Sequence, residues 1–497
     1  MLLQQHHGLF PRILCKGDNA KRLADLLIRM RKEEVVGEES SNASNPLPNL
    51  NPSTNIESAI IIDRSVDFPS VLMTQLTYEG LVDEIFSISA NATEMPTSVV
   101  GQAPQANASG SASTAKVPQQ QSLKRKVPLD PTDGLYNTLR DANFAVVGSL
   151  LNKVARKLQS SYDKKGIASK TTSELRDFVA KLPGYQAEQA SLKVHTAIAE
   201  EIIKRTKGDF FARSLEVQQT TIAGADLSAA HDTIDEIISR GASLQQVLRL
   251  ICLESCVNAG LRSRDFDALR RSILLAYGYQ HLLTLGNLEK TGLLYQRGSA
   301  FSTSRTATNI QPTNYTQVRK QLHLIVDEIN ESEPEDIAYT YSGYAPLSVR
   351  LVQCVLDKQK IASLGFSSSS SFASSATSTI GTAGGSGPAP STAALSSSHG
   401  FRPFDDAVRA VRGATADVSQ SGEERAMRAR MSLAGQSPNE QRTVLVFYLG
   451  GICRAEIAAL RFVARQVKKR IVVCTTNVIS GNGMMDALIE EGSFASS

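Results

Sequence analysis

Two carboxylates flank one guanidinium in the run Asp63-Arg64-Ser65-Val66-Asp67. Such a trio could hold a metal ion or run acid–base chemistry, or it could close a strand end as a fixed ion-pair cluster. The turn itself contains no histidine, cysteine or third carboxylate, which favours the ion-pair reading. Gly450-Gly451, just ahead of Arg454, could seat a phosphate on a helix N-terminus. The third glycine of a dinucleotide fingerprint is absent, however, and no GxxxxGK[ST] occurs, so P-loop chemistry is excluded and close helix-on-strand packing is preferred. Neither a GxSxG elbow nor HExxH is present. The cysteines at 15, 252, 256, 354, 453 and 474 form no CxxC pair. Cys252 and Cys256 lack the second pair that a zinc site needs, so reduced thiols are expected, with no metal and no cofactor. His195, in HTAIAEE, reads as a helix packing residue and not as a base.

These residues need elements to hold them. Ala59–Ile62 is a short apolar run with three isoleucines, the pattern of a buried strand, and Asp63-Arg64 ends it. Pro69 suits the first turn of a helix, and Leu72, Leu76, Val82, Ile85 and Phe86 follow at roughly helical spacing. This is the βα half of a parallel-sheet fold. A second such block closes the chain: strand Thr443–Leu449, the glycine turn, helix Ala455–Val467 and strand Arg470–Thr475.

Residues 1–35 read as a helical piece, a turn at Lys16–Asn19 and another helix, and residues 38–55 as a loop. From about 128 to 365 the pattern is helical. Val147, Leu150, Leu151, Val154 and Leu158 form one stripe, and Thr171 to Glu174 fits a capping box. Pro183-Gly184 interrupts the next helical pattern, either as a plain helix end or as a hinge. Residues 101–127 and 366–400 are expected to be flexible and 413–441 to be loop. The fold class that follows is α/β plus all-α. A split parallel sheet from 1–100 and 401–497 is interrupted by a helical domain at 128–365, with a hairpin around 160–205.

The 53 basic and 49 acidic residues nearly cancel, leaving +4, which argues against a dedicated nucleic-acid binder. Lys124-Arg125-Lys126 and Lys468-Lys469-Arg470 are read as solvated surface. The N-terminus lacks the pattern of a signal peptide, and no apolar run approaches the roughly 18–20 residues of a membrane span.

The DRxxD turn followed by QLTYEGLVDE resembles the signature of the SM (Sec/Munc) family of SNARE regulators. So do LRDANFAVVGSLL and the C-terminal GG-x-x-x-A-E-I-x-A-L-R element. ILLAYGYQHL, LEKTGLL and DIAYTYSGYAPLSVRLVQ resemble one branch of it, the vacuolar protein sorting-associated 33 group. The resemblance implies the Sec1-like fold, no catalytic site, and fold-signature roles for Asp63, Arg64, Asp67, Thr77, Tyr78, Glu79, Gly450, Gly451 and Glu456. It places KLPGYQ, and so Pro183, on the hinge of a helical hairpin that aligns SNARE helices. Leu175, Phe178, Val179 and Leu182, just before it, are candidates either for hairpin packing or for SNARE contact. The implied partners are Qa- and R-SNARE helices and a protein-16-type subunit of the HOPS and CORVET tethers. The implied setting is cytoplasmic and peripheral on endosome and vacuole or lysosome membranes, reached through those partners. Family members begin with a further α/β domain, so residue 1 is expected to enter partway into the second domain. A doubly wound α/β enzyme with a helical cap is the alternative from another class.

Overall fold

The computed structural model describes residues 2–39, 53, 55–100, 124–163, 172–225, 227–297, 312–367, 400–419 and 442–490. Its larger sheet is built from β1 (Arg12–Lys16), β2 (Ile56–Asp63), β6 (Thr415–Ser419), β7 (Thr443–Leu449) and β8 (Arg470–Thr475). Their order is β6-β1-β2-β7-β8. β1, β2, β7 and β8 run parallel, and β6 pairs antiparallel with β1. The split sheet expected from the sequence is therefore present, with β2 and β7 side by side although nearly 400 positions apart. Ile60, Ile61 and Ile62 are 1–2% exposed, because helices cover both faces of this part of the sheet. Burying each contributes about 1.5–3 kcal/mol.

Helix Asp18–Glu39 makes the crossover from β1 to β2, and helix Arg454–Val467 that from β7 to β8. A smaller sheet joins β3 (Ile88–Ser89), β4 (Ala92–Pro96) and β5 (Lys124–Pro128). Lys124 and Lys126 are exposed on β5, at the edge of that sheet, where charge discourages further strand pairing.

Four local readings are corrected. Arg12–Lys16 is a strand where the sequence reads as helical. The segment is short and has a single β-branched residue, and its conformation comes from being flanked by β2 and β6. Thr415–Ser419 is strand and not loop; as an edge strand it keeps alternate side chains in solvent, so its polar sequence is no obstacle. The helix expected from Pro69 to Phe86 is two helices, Pro69–Leu72 and Tyr78–Phe86. The break frees Thr77 to cap the second helix by accepting from the Gly80 N–H, and Gln75 Oε1 to accept from the Ala455 N–H at 2.9 Å. Finally, helix Thr172–Thr206 runs through Pro183-Gly184 without interruption. The capping box expected at Thr171, the segments 101–123 and 368–399, and positions 420–441 of the expected loop lie outside the described residues.

The helical part is tied to the sheet through Arg249, on helix Leu244–Val257. Its guanidinium donates to the Leu72 and Met73 carbonyls, to both Glu84 oxygens and to Asn482 Oδ1, all within 3.1 Å. Three distant chain segments thus share one buried cation. A Cβ on Gly481 would lie 2.4 Å from the Arg249 Cζ, which has no room to yield. Gly481→Ala is expected to cost about 1–3 kcal/mol of stability, read from the urea midpoint.

Candidate functional site

β2 and β7 end side by side, and the fold-signature residues gather where they do. Asp63 caps the turn Arg64–Val66 by accepting from the Ser65 N–H, and its other oxygen accepts from the Asn19 N–H at 3.0 Å. Arg64 points under the neighbouring strand end. Its Nη1 donates to Glu456 Oε2 at 2.7 Å, and its Nη2 donates to the Asp67 carbonyl and lies 3.7 Å from Asp67 Oδ2. Glu456 also accepts from the Cys453 N–H at 2.9 Å and from the Ser348 hydroxyl. Asp67 accepts from the Ser70 N–H at 3.1 Å, the Ser70 hydroxyl at 2.6 Å and the Ser348 N–H at 2.8 Å. Ser348 belongs to helix Leu347–Leu356, so the central segment of the chain is locked to the same cluster as the two sheet halves.

The glycine doublet makes this approach possible. Gly450 has φ +90°, and a Cβ there would sit 2.9 Å from that of Arg64. Gly451 has φ +105°, and its Cβ would meet Ile479 Cγ2 at 2.8 Å.

Asp67 and Glu456 are fully buried and Arg64 is 5% exposed. Burial alone would drive Glu456 to its neutral form; Arg64, with the bonds from Cys453 and Ser348, outweighs it and holds the carboxylate below its usual range. Burial pushes Asp67 upward against the pull of Arg64. No substrate reaches groups so enclosed, and among the described residues no group of three or more His, Cys, Asp or Glu could hold a metal ion. What the cluster can do is fasten three parts of the chain together.

Glu79 extends the network, pairing with Arg454, which also lies 3.6 Å from Asp83. Beside it the Tyr78 hydroxyl lies 2.7 Å from Nδ1 of His195, and Nε2 of His195 lies 3.4 Å from Asp133 Oδ2. An ionised carboxylate only accepts, so Nε2 carries the proton and Nδ1 accepts from Tyr78. Burial holds the His195 imidazole below its ordinary pKa, although Asp133 favours the charged form. The native state therefore binds fewer protons at this site than the unfolded chain. The stability contributed by His195 is complete above the unfolded pKa of about 6.5 and is lost as pH falls below it. The stability gap between wild type and His195→Phe is expected to shrink from pH 7.5 to 5.5 in urea titrations. Comparing the two proteins cancels His231, whose bond to Glu254 raises its pKa and gives the opposite slope.

Leu175, Phe178, Val179, Leu182 and Pro183 all fall on helix Thr172–Thr206, and their side chains lie outside the described residues. The structure thus brings the fold-signature residues into one region and puts the hairpin residues on a separate arm.

A surface that sequence reasoning missed lies at the junction of helices Ser263–Tyr277 and His281–Thr291. The first helix buries Phe266, Leu269 and Ile273, and the second buries Leu285 and Leu288. Leu275, Tyr279, Leu282 and Leu283 stand off those stripes and are 68%, 72%, 45% and 50% exposed. Leu275 and Tyr279 edge a hollow of about 370 Å³, with Asp267, Arg270 and Arg271 beside them. Large apolar side chains left exposed beside charge are the kind of feature from which interaction surfaces are built. The available signal was surplus: RSILLAYGYQHLL holds more large apolar residues than one buried stripe uses.

The sequence profile of the Sec1 family matches residues 1–487. Vacuolar protein sorting-associated protein 33A of Rattus norvegicus is 34% identical over 493 residues, covering 99% of this chain and 70% of the relative. The vacuolar protein-sorting-associated protein 33 homolog of Arabidopsis thaliana is 31% identical over 495 residues, covering 98% and 69%. Among solved structures, the SM protein Vps45 in complex with the Qa SNARE Tlg2 superposes with a TM-score of 0.52 at 15% identity, over 98% of this chain and 68% of that one. The Unc18–syntaxin 1 complex from Monosiga brevicollis gives 0.54 at 14%, over 98% and 69%. At such identities the superpositions speak for the fold alone.

Proposed function

Because the chain belongs to the Sec1 family, we propose that it is an SM-type regulator of SNARE-mediated membrane fusion in transport to the vacuole or lysosome. The observation that carries this reading is the similarity to vacuolar sorting proteins along essentially the whole chain, with Arg64, Asp67 and Glu456 in one buried cluster. The mechanism proposed is templating. Helices Phe144–Asp163 and Thr172–Thr206 form an arm on which a Qa-SNARE and an R-SNARE helix lie side by side. Holding two disordered chains in register lowers the cost of nucleating a coiled coil. Leu175, Phe178, Val179, Leu182 and Pro183 are the proposed contacts, by helix-in-groove recognition.

The exposed patch at Leu275, Tyr279, Leu282 and Leu283 is proposed to dock the chain on a protein-16-type subunit of the HOPS and CORVET tethers. Its occupant would be a helix presenting apolar side chains to the hollow and acidic ones to Arg270 and Arg271. Among the described residues no helix is long and apolar enough to cross a membrane. The enzyme alternative would need a reactive group open to substrate at the end of β2 or β7, where the side chains are the enclosed Arg64, Asp67 and Glu456.

The test is fluorescence anisotropy of labelled endolysosomal Qa- and R-SNARE helices titrated with the chain, beside calorimetry with ATP and GTP. Saturable binding of both helices supports the reading. Tight stoichiometric nucleotide binding with turnover, or no binding of any SNARE helix, sinks it.

A further inference from the structure

Helix Thr172–Thr206 changes character along its length. From Gly184 to Ala190 every side chain except the half-buried Tyr185 is exposed. From His195 on, Ile198, Ala199 and Ile202 are buried in the core formed with Tyr78, Leu81, Tyr136, Leu139 and Leu151. The transition falls at a polar cluster of three chain segments. His195 is 3% exposed and Tyr78 fully buried. The imidazole lies parallel to the Tyr136 ring, 12° between planes, and edge-on to Tyr78. Asp133 faces it from the turn before helix Gly134–Leu139 and accepts from the Leu135 N–H at 2.8 Å, the Tyr136 N–H at 3.3 Å and the Ser191 hydroxyl at 2.5 Å. Ser191 lies one turn before His195 on the same helix, so Asp133 grips that helix at two successive turns.

We propose that His195 is the positioning residue of the arm: it clamps helix Thr172–Thr206 between Tyr78 and Asp133, and so fixes the direction in which the exposed part leaves the α/β core. One ring nitrogen lies 2.7 Å from the Tyr78 hydroxyl while the other faces Asp133 Oδ2 at 3.4 Å, so a single side chain sets both roll and tilt. A phenyl ring fills the volume and makes neither polar contact. The clamp also has a rigid footing. Tyr78 precedes Glu79, which pairs with Arg454 two residues before Glu456, the partner of Arg64. The arm is thus held against the same network that joins the sheet halves. The role in function rests on the proposed use of the arm by SNARE helices.

The test measures arm direction first and binding second. Nitroxide labels are placed at Glu188 on the arm and Arg22 on the helix beside β1, both exposed, with Cys256 and Cys474 changed to serine. Pulsed electron–electron spectroscopy gives the distance distribution. The wild-type background should give one narrow peak. His195→Phe should at least double its width and weaken SNARE-helix binding by about tenfold or more, and Tyr78→Phe should do the same to a smaller degree. An unchanged width in folded His195→Phe overturns the proposal. If His195→Phe does not fold, the width in Tyr78→Phe decides in the same way. Failure of the wild type to bind any SNARE helix would sink the templating reading, and the distance distributions would still decide the clamp.

Discussion

Replacing Glu456 by alanine should lower the stability of the chain by about 3–5 kcal/mol, the cost of leaving a desolvated charge without its partner. Arg64 is nearly as buried as Glu456, and the next carboxylate, that of Asp67, has its nearer oxygen 3.7 Å away and already accepts three hydrogen bonds across its two oxygens. The alanine also removes the acceptor for the Cys453 N–H and the Ser348 hydroxyl. The double variant Arg64→Met/Glu456→Leu should be less damaged than either single change, since an apolar pair leaves no charge stranded. Urea unfolding of the four proteins at pH 7 checks this. A loss under about 1 kcal/mol for Glu456→Ala would mean that water reaches the pair and that the cluster is no fastening.

The second large effect is on binding. If the proposed docking on a tether subunit holds, Leu275→Glu combined with Tyr279→Ala should weaken that association about 100-fold or more, because buried aromatic and aliphatic anchors at an interface centre each carry about 2 kcal/mol or more. Stability should change by less than about 0.5 kcal/mol per substitution, because neither side chain belongs to the buried core. Calorimetry with the purified protein-16-type subunit and a urea titration separate the two effects. Unchanged affinity would move the docking site elsewhere. A concentration-dependent dimer of the chain that the double variant abolishes would assign the patch to a second copy.

How far the sequence could be read followed from how local the causes are. The isoleucine run of β2 and the TVLVFYL run of β7 are legible because strands covered on both faces need continuous apolar sequence. β1 was not, since its flanking strands β2 and β6 come from about 40 and 400 positions away. The helix break before Thr77 was hidden for the same reason: the Gln75 side chain serves a backbone N–H 380 residues away. Spacing brought out Arg64, Asp67 and the glycine pair, but not Ser348, whose N–H donates to Asp67 and whose hydroxyl donates to Glu456, since a serine in a helical run carries no signal. The Leu275 to Leu283 patch escaped because exposed and buried leucines look alike until a fold assigns the faces. His195 read as a packing residue, and packing is part of its role; its partner Asp133 lies 62 positions earlier, beyond any local pattern.

The central claim is that the chain holds two SNARE helices in register for assembly. The most direct measurement is the rate at which the four endolysosomal SNARE helices assemble, followed by energy transfer between labelled Qa- and R-SNARE helices, with and without stoichiometric chain. Templating predicts a faster initial rate with the chain present, saturating at one chain per Qa/R pair and reduced by His195→Phe. A rate that is unchanged, or slowed at every concentration, would contradict it.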